Sequence, residues 1–166
     1  MSSKLKDLPA RTYTTGTATR ALRYVALVGV GGLCLYVAST YGDLPETVPT
    51  HFGFTGEADA WGSKSSLWAL LGINVLMVGL IAWLSTRPRW FNYLSDITED
   101  NAQHLYREGE RMLVWINLAL VVVSYGAILS IYEIDSPLLV LGIIALPAIT
   151  ITALIRMSFA GDARAS

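Results

Sequence analysis

Four long apolar runs, at residues 21–40, 67–84, 112–131 and 137–155, constrain this chain more than any other feature. Their only charged residue is Arg23, at the entrance of the first. A helix rises about 1.5 Å per residue, so a run of roughly twenty residues matches a hydrocarbon core about 30 Å thick. In such a medium a helix also satisfies its own backbone hydrogen bonds. Each run is apolar all round, with no polar stripe of the kind a surface helix in a soluble bundle carries. A chain that is 53% apolar fits the same reading. The expected fold is an all-α membrane protein with four transmembrane helices, an ordered outer loop between helices 1 and 2, and a cytoplasmic helical extension before helix 3. Residues 1–20 read as a flexible cytoplasmic N-terminus, 21–157 as the transmembrane domain and 158–166 as a cytoplasmic tail. The polar start ahead of the first run makes that run a retained anchor.

Charge placement gives an orientation. Of the 12 basic side chains, only Lys64 lies between runs 1 and 2 or runs 3 and 4; the others flank the opposite ends. Short basic loops stay in the cytoplasm, so both termini are expected inside a cell membrane and the 41–66 loop outside. Trp68, Tyr41 and Tyr132 would mark the outer boundary, and Trp83, Trp90 and Trp115 the inner one. A net charge of −1, with no basic cluster, argues against nucleic acid as a partner. The single cysteine, Cys34, lies within an apolar run and implies no intramolecular disulfide. No acid or base sits within the depth of a run, which weighs against a proton-coupled carrier. Asn74, Asn117, Ser124, Thr150 and Thr152 are expected to bond between helices, and Pro147 to kink the fourth helix.

The outer loop carries the most distinctive sequence, VPTHFGFTGEADAWGSK, residues 48–64. Pro45 and Pro49 stiffen its start, while Gly53 and Gly56 permit a reversal around Phe54 and Thr55. Phe52, Phe54 and Trp61 are expected to pack onto the helix ends, with one of Ser63, Ser65 and Ser66 capping the second helix. His51 is expected to bond Asp59 or Glu57 and so fix the loop. A zinc site of His51, Glu57 and Asp59 is the metal-dependent alternative, but its spacing is loose and it lacks a helix of the HExxH kind. The candidate partner-binding or loop-fixing residues are Pro49, His51, Phe52, Gly56, Glu57, Asp59, Trp61 and Lys64.

On the inner side, Asp96 and Thr98 are both candidate N-caps, and Asp96 with Glu99 resembles a capping box, for a helix that starts near Glu99 and continues into the third run. His104 with Asp100 and Glu108 has i,i+4 spacing, yet makes a weak ligand set. Asn92, Tyr93, Glu99, Asn101, Tyr106 and Arg107 form the candidate cytoplasmic partner face.

The pattern Leu44-Pro45-x-x-Val48-Pro49-x-His51-Phe52, followed by Gly56-x-x-Asp59-x-Trp61-Gly62-Ser63-Lys64, resembles the signature loop of a bacterial membrane domain of unknown function. That domain forms the N-terminal part of SdpI-type immunity proteins. Phe91-Asn92-Tyr93, residues 97–102 and Tyr106-Arg107 are similar to the family's cytoplasmic segment. The resemblance implies a role in immunity and signalling toward a secreted peptide toxin. The ordered acidic loop and the polar inner helix offer one surface on each side, and point to a non-enzymatic protein without a cofactor that acts by binding a partner, whether in that role or as an accessory subunit of a membrane complex. A small-molecule carrier or a metal-dependent membrane enzyme is the alternative. The partners expected are the lipid bilayer, another membrane protein or complex, and a secreted peptide.

Overall fold

The computed structural model describes residues 8–162. Four long helices are present: α1 Thr17–Thr40, α2 Ser66–Leu84, α3 Ala102–Ile131 and α4 Leu138–Asp162. All four are long and apolar enough to cross a membrane. The loop expected between the first two helices is instead a two-stranded antiparallel hairpin, β1 Thr47–Phe52 and β2 Ala58–Ser63, so the fold is not purely helical. The α4 helix continues through Pro147 as one element.

Lateral packing follows a rule suited to a lipid solvent, in which burial from water cannot hold helices together and close contact must. Gly126 on α3 lies so near α4 that an added Cβ would overlap the Leu139 backbone nitrogen. One turn further along α4, a Cβ on Gly142 would meet the Val123 nitrogen at 2.9 Å. The same pair of helices still touches at the other end, where Leu105 packs with Ala153 and Met157. Polar groups point inward: Asn117 Nδ2 donates to the Val78 carbonyl at 3.1 Å, Asn74 bonds Ser124, and Tyr125 OH donates to the Gly29 carbonyl at 3.0 Å. Val28, Leu35, Ile73, Leu76 and Ile144 point outward. Thr150 and Thr152 bond carbonyls on their own helix rather than a neighbour.

The turn between α3 and α4 closes with a Schellman arrangement. Ile134 N–H donates to the Leu129 carbonyl and Glu133 N–H to the Ser130 carbonyl, with Glu133 in the left-handed region at φ 57°. At the start of α3, Thr98 rather than Asp96 is the one of the two expected caps that supplies a side-chain bond to the backbone. Thr98 N–H donates to Asn101 Oδ1 and Asn101 N–H to Thr98 Oγ1, so the reciprocal pair is Thr98 with Asn101, and regular helix begins at Ala102 rather than Glu99. Ser65 precedes α2 without a capping bond of its own; Ser63 Oγ accepts from Ser65 N–H at 3.3 Å, and Ser66 Oγ donates back to the Ser63 carbonyl.

Candidate functional site

The hairpin stands on the α1/α2 end of the bundle because one residue roots it there. Val48 is fully buried among Leu33, Val37, Leu67, Leu71, Ile128 and Ile131, and Phe52 packs at the edge of that cluster. Strand alternation accounts for the rest, since a face committed to the core leaves the other in solvent. Gly62 lies opposite Val48, and the half-buried Pro49 lies opposite Trp61. Lys64 fastens the base: its Nζ donates to the Leu44 carbonyl at 3.1 Å, pairs with Glu46 at 3.1 Å and stands over the Tyr41 ring. Lys64 is thus a structural residue of the hairpin.

At the tip, Gly56 N–H donates to the Gly53 carbonyl around Phe54 and Thr55, and Gly56 takes φ 85°, which a side chain rarely adopts. His51 and Asp59 meet across the strands, Nδ1 to Oδ1 at 2.5 Å, on the solvent side. Glu57 does not join them. It lines a cavity of about 630 Å³ between the hairpin tip and the α3–α4 turn, with Glu133 and Asp135. The three-ligand set of His51, Glu57 and Asp59 therefore does not form, and among the described residues no three His, Cys, Asp or Glu side chains are grouped to hold a metal. Phe54 and Trp61 correct a second expectation. Phe54 is 90% exposed and Trp61 60% exposed, so neither packs on the helix ends; only Phe52 of the three does.

At the opposite end the structure shows a centre that sequence reasoning missed. The Glu110 carboxylate, 2% exposed, accepts from Thr15 Oγ1 at 2.7 Å and Arg23 Nη2 at 2.6 Å on one oxygen. Its other oxygen accepts from Tyr13 OH at 2.8 Å and Arg11 Nη2 at 3.4 Å. Arg23 also donates to Ser85 Oγ, which ties α1, α2 and α3 to one another. Of the N-terminal segment expected to be flexible, residues 1–7 lie outside the described residues, and residues 8–16 are laid along this end by specific bonds. Gln103 exchanges bonds with Thr12 N–H and the Ala10 carbonyl, Tyr106 OH donates to the Pro9 carbonyl, and Arg89 donates to the Leu8 carbonyl. Burial pushes the Tyr13 hydroxyl's pKa well above its ordinary value, and the Glu110 bond and charge add to the effect. Tyr93 is raised in the same direction, chiefly by burial.

This arrangement corrects the proposed inner partner face. Tyr106 is fully buried, and the half-buried Tyr93 bonds the Pro88 carbonyl and stacks near Phe91 and Tyr106, so both rings belong to the interior. Asn101 spends its side chain on the α3 cap and on the Asp96 carbonyl. Arg107 stands over the Tyr13 ring at 4.9 Å. Of the six, Asn92, Glu99 and Arg107 stay exposed. The signal for Glu110 was present as an acid one turn before an apolar run, but its partners lie 87 to 99 positions away in sequence.

The architecture is that of a bundle whose four helices are long and apolar enough to cross a membrane, with a small exposed hairpin at one end and a charged knot at the other. Residues 28–78 match the family model described as a domain of unknown function (DUF1648). Those residues take in the second half of α1, the whole hairpin and most of α2. The chain is also 49% identical over 62 residues to a protein of Archaeoglobus fulgidus described as uncharacterized; the match covers 37% of this chain and 34% of that protein. This chain thus spans about a third of that relative's length. No solved structure matches.

Proposed function

We propose that the chain is a non-enzymatic, multi-pass membrane protein that binds a partner through its hairpin. The observation that carries this reading is the exposed Phe54 and Trp61 on a hairpin whose core-facing residue is already satisfied. An ordered scaffold leaves these two aromatics largely in water, and aromatic rings are the residues that partner surfaces most often bury. The bias of basic residues toward the other end favours an external hairpin with both termini in the cytoplasm. The partner is then an extracytoplasmic part of a larger membrane complex or a secreted peptide, in keeping with the resemblance to SdpI-type immunity domains.

The test is affinity purification from native membranes of the wild-type chain and a Phe54→Ser/Trp61→Ser variant. A stoichiometric partner that the variant loses, with melting in detergent unchanged, is the expected result. Equal recovery of the same proteins by both forms, or of none by either, would sink the proposal.

A further inference from the structure

A cavity of about 440 Å³ lies between α3 and α4 at the end away from the hairpin. Its walls are apolar, formed by Met112, Trp115, Ala148, Ile149 and Ala153, together with Thr152, whose hydroxyl is spent on the Ala148 carbonyl. Its mouth is charged. Glu108, a carboxylate only 8% exposed, receives Arg111 Nη1 at 2.6 Å and has Arg156 Nη1 at 4.0 Å. The two arginine side chains are 48% and 64% exposed, and Glu108 is the partner of both. One buried carboxylate between two arginines leaves a single positive charge at the mouth.

We infer that this cavity binds one anionic phospholipid, its phosphodiester on Arg111 and Arg156 and an acyl chain along the Trp115–Ile149 wall. Three features agree on that occupant. The net charge at the mouth matches one phosphodiester, and guanidinium donors suit phosphate oxygens better than an ammonium does. The mouth lies where the apolar stretches of α3 and α4 end, which is where a headgroup sits if the four helices span a bilayer. The walls offer an acyl chain contact with both helices at once. Glu108 acts as a spacer that holds both arginines at the mouth, and it disfavours a second anion. A zwitterionic choline lipid presents the same phosphate, but brings a quaternary ammonium toward two arginines and is discriminated against.

The inference rests on the membrane reading and is independent of the hairpin's partner. It is tested by native mass spectrometry of the full chain, released from micelles doped equally with dioleoyl phosphatidylglycerol and dioleoyl phosphatidylcholine. Phosphatidylglycerol should be retained about tenfold over phosphatidylcholine, the discrimination expected when a like-charged ammonium is brought to the positive mouth. Arg156→Gln removes a residue with only a long contact to Glu108, so the fold should survive, and it should abolish the preference. Ala148→Phe, at an exposed wall position, should reduce retention of both lipids while leaving melting unchanged. Equal retention of the two lipids by the wild type, or an undiminished preference in Arg156→Gln, would overturn the inference. So would stabilisation of the protein by free glycerol phosphate to the same extent as by phosphatidylglycerol, which would mark a soluble-phosphate site.

Discussion

Glu110 gathers four donors from two separate parts of the chain, and its low exposure makes it costly to leave any of them unmatched. Removing one partner of a buried charged network strands the rest in a medium that solvates them poorly. Glu110→Gln should therefore destabilise the protein by about 3 kcal/mol, read as a lower melting temperature in detergent, and should raise amide exchange across residues 8–16. Unchanged exchange there would show that the N-terminal segment is held by something else. Tyr13 adds a pH dependence. Its pKa is raised on folding, so its contribution is fully present below the ordinary tyrosine value and is lost as pH rises through the elevated one. Between about pH 9 and about pH 11 the wild type should lose more melting temperature than Tyr13→Phe. Parallel curves would remove Tyr13 as a source of the loss.

Among the elements, the α3–α4 pair depends on backbone approach, and its glycines are not interchangeable with glycines elsewhere. Gly126→Ala would place a methyl carbon inside the Leu139 backbone, so the helices must separate and the variant should fail to give monodisperse protein. Gly72→Ala, where an added Cβ meets nothing within 4 Å, should behave as wild type. Similar behaviour of the two variants would contradict the packing described. The turn joining these helices offers the opposite case. Glu133 occupies the left-handed position of a Schellman cap, where glycine is preferred, so Glu133→Gly should stabilise by up to about 1 kcal/mol. A lower melting temperature would mean that the Glu133 side chain contributes more than its backbone conformation costs. Neither glycine effect was legible beforehand. A glycine in an apolar run is the same letter whether it faces a neighbouring backbone or lipid, and only the rotation of each helix about its axis separates Gly126 from Gly72.

At the scale of the whole molecule, the two ends divide the work. One end presents the hairpin and the acidic turn between α3 and α4, and the other holds the charged knot and the arginine-lined cavity. If the helices span a bilayer, these ends face different compartments. In a Cys34→Ser background, a single cysteine replacing Phe54 should react with a membrane-impermeant maleimide added outside intact cells. One replacing Gln103 should react only after the membrane is permeabilised. Labelling of both from the same side would refute the topology.

The sequence by itself determined the four long helices, because length and hydropathy are properties of contiguous residues and need no partner to be read. It also located the reversal at Phe54 and Thr55, where paired glycines sit, and narrowed the partner of His51 to Asp59 or Glu57, between which the structure chose Asp59. The tertiary structure decided everything that depends on which face of an element looks inward. It turned the outer loop into a hairpin with Val48 rooted and Phe54 and Trp61 free, moved Tyr93 and Tyr106 from surface to interior, and bound the N-terminal stretch to Glu110. The physical reason is common to all of these. A buried charge or an inward ring is stable only beside partners that folding brings from distant parts of the chain, and local pattern carries no record of where those partners will stand.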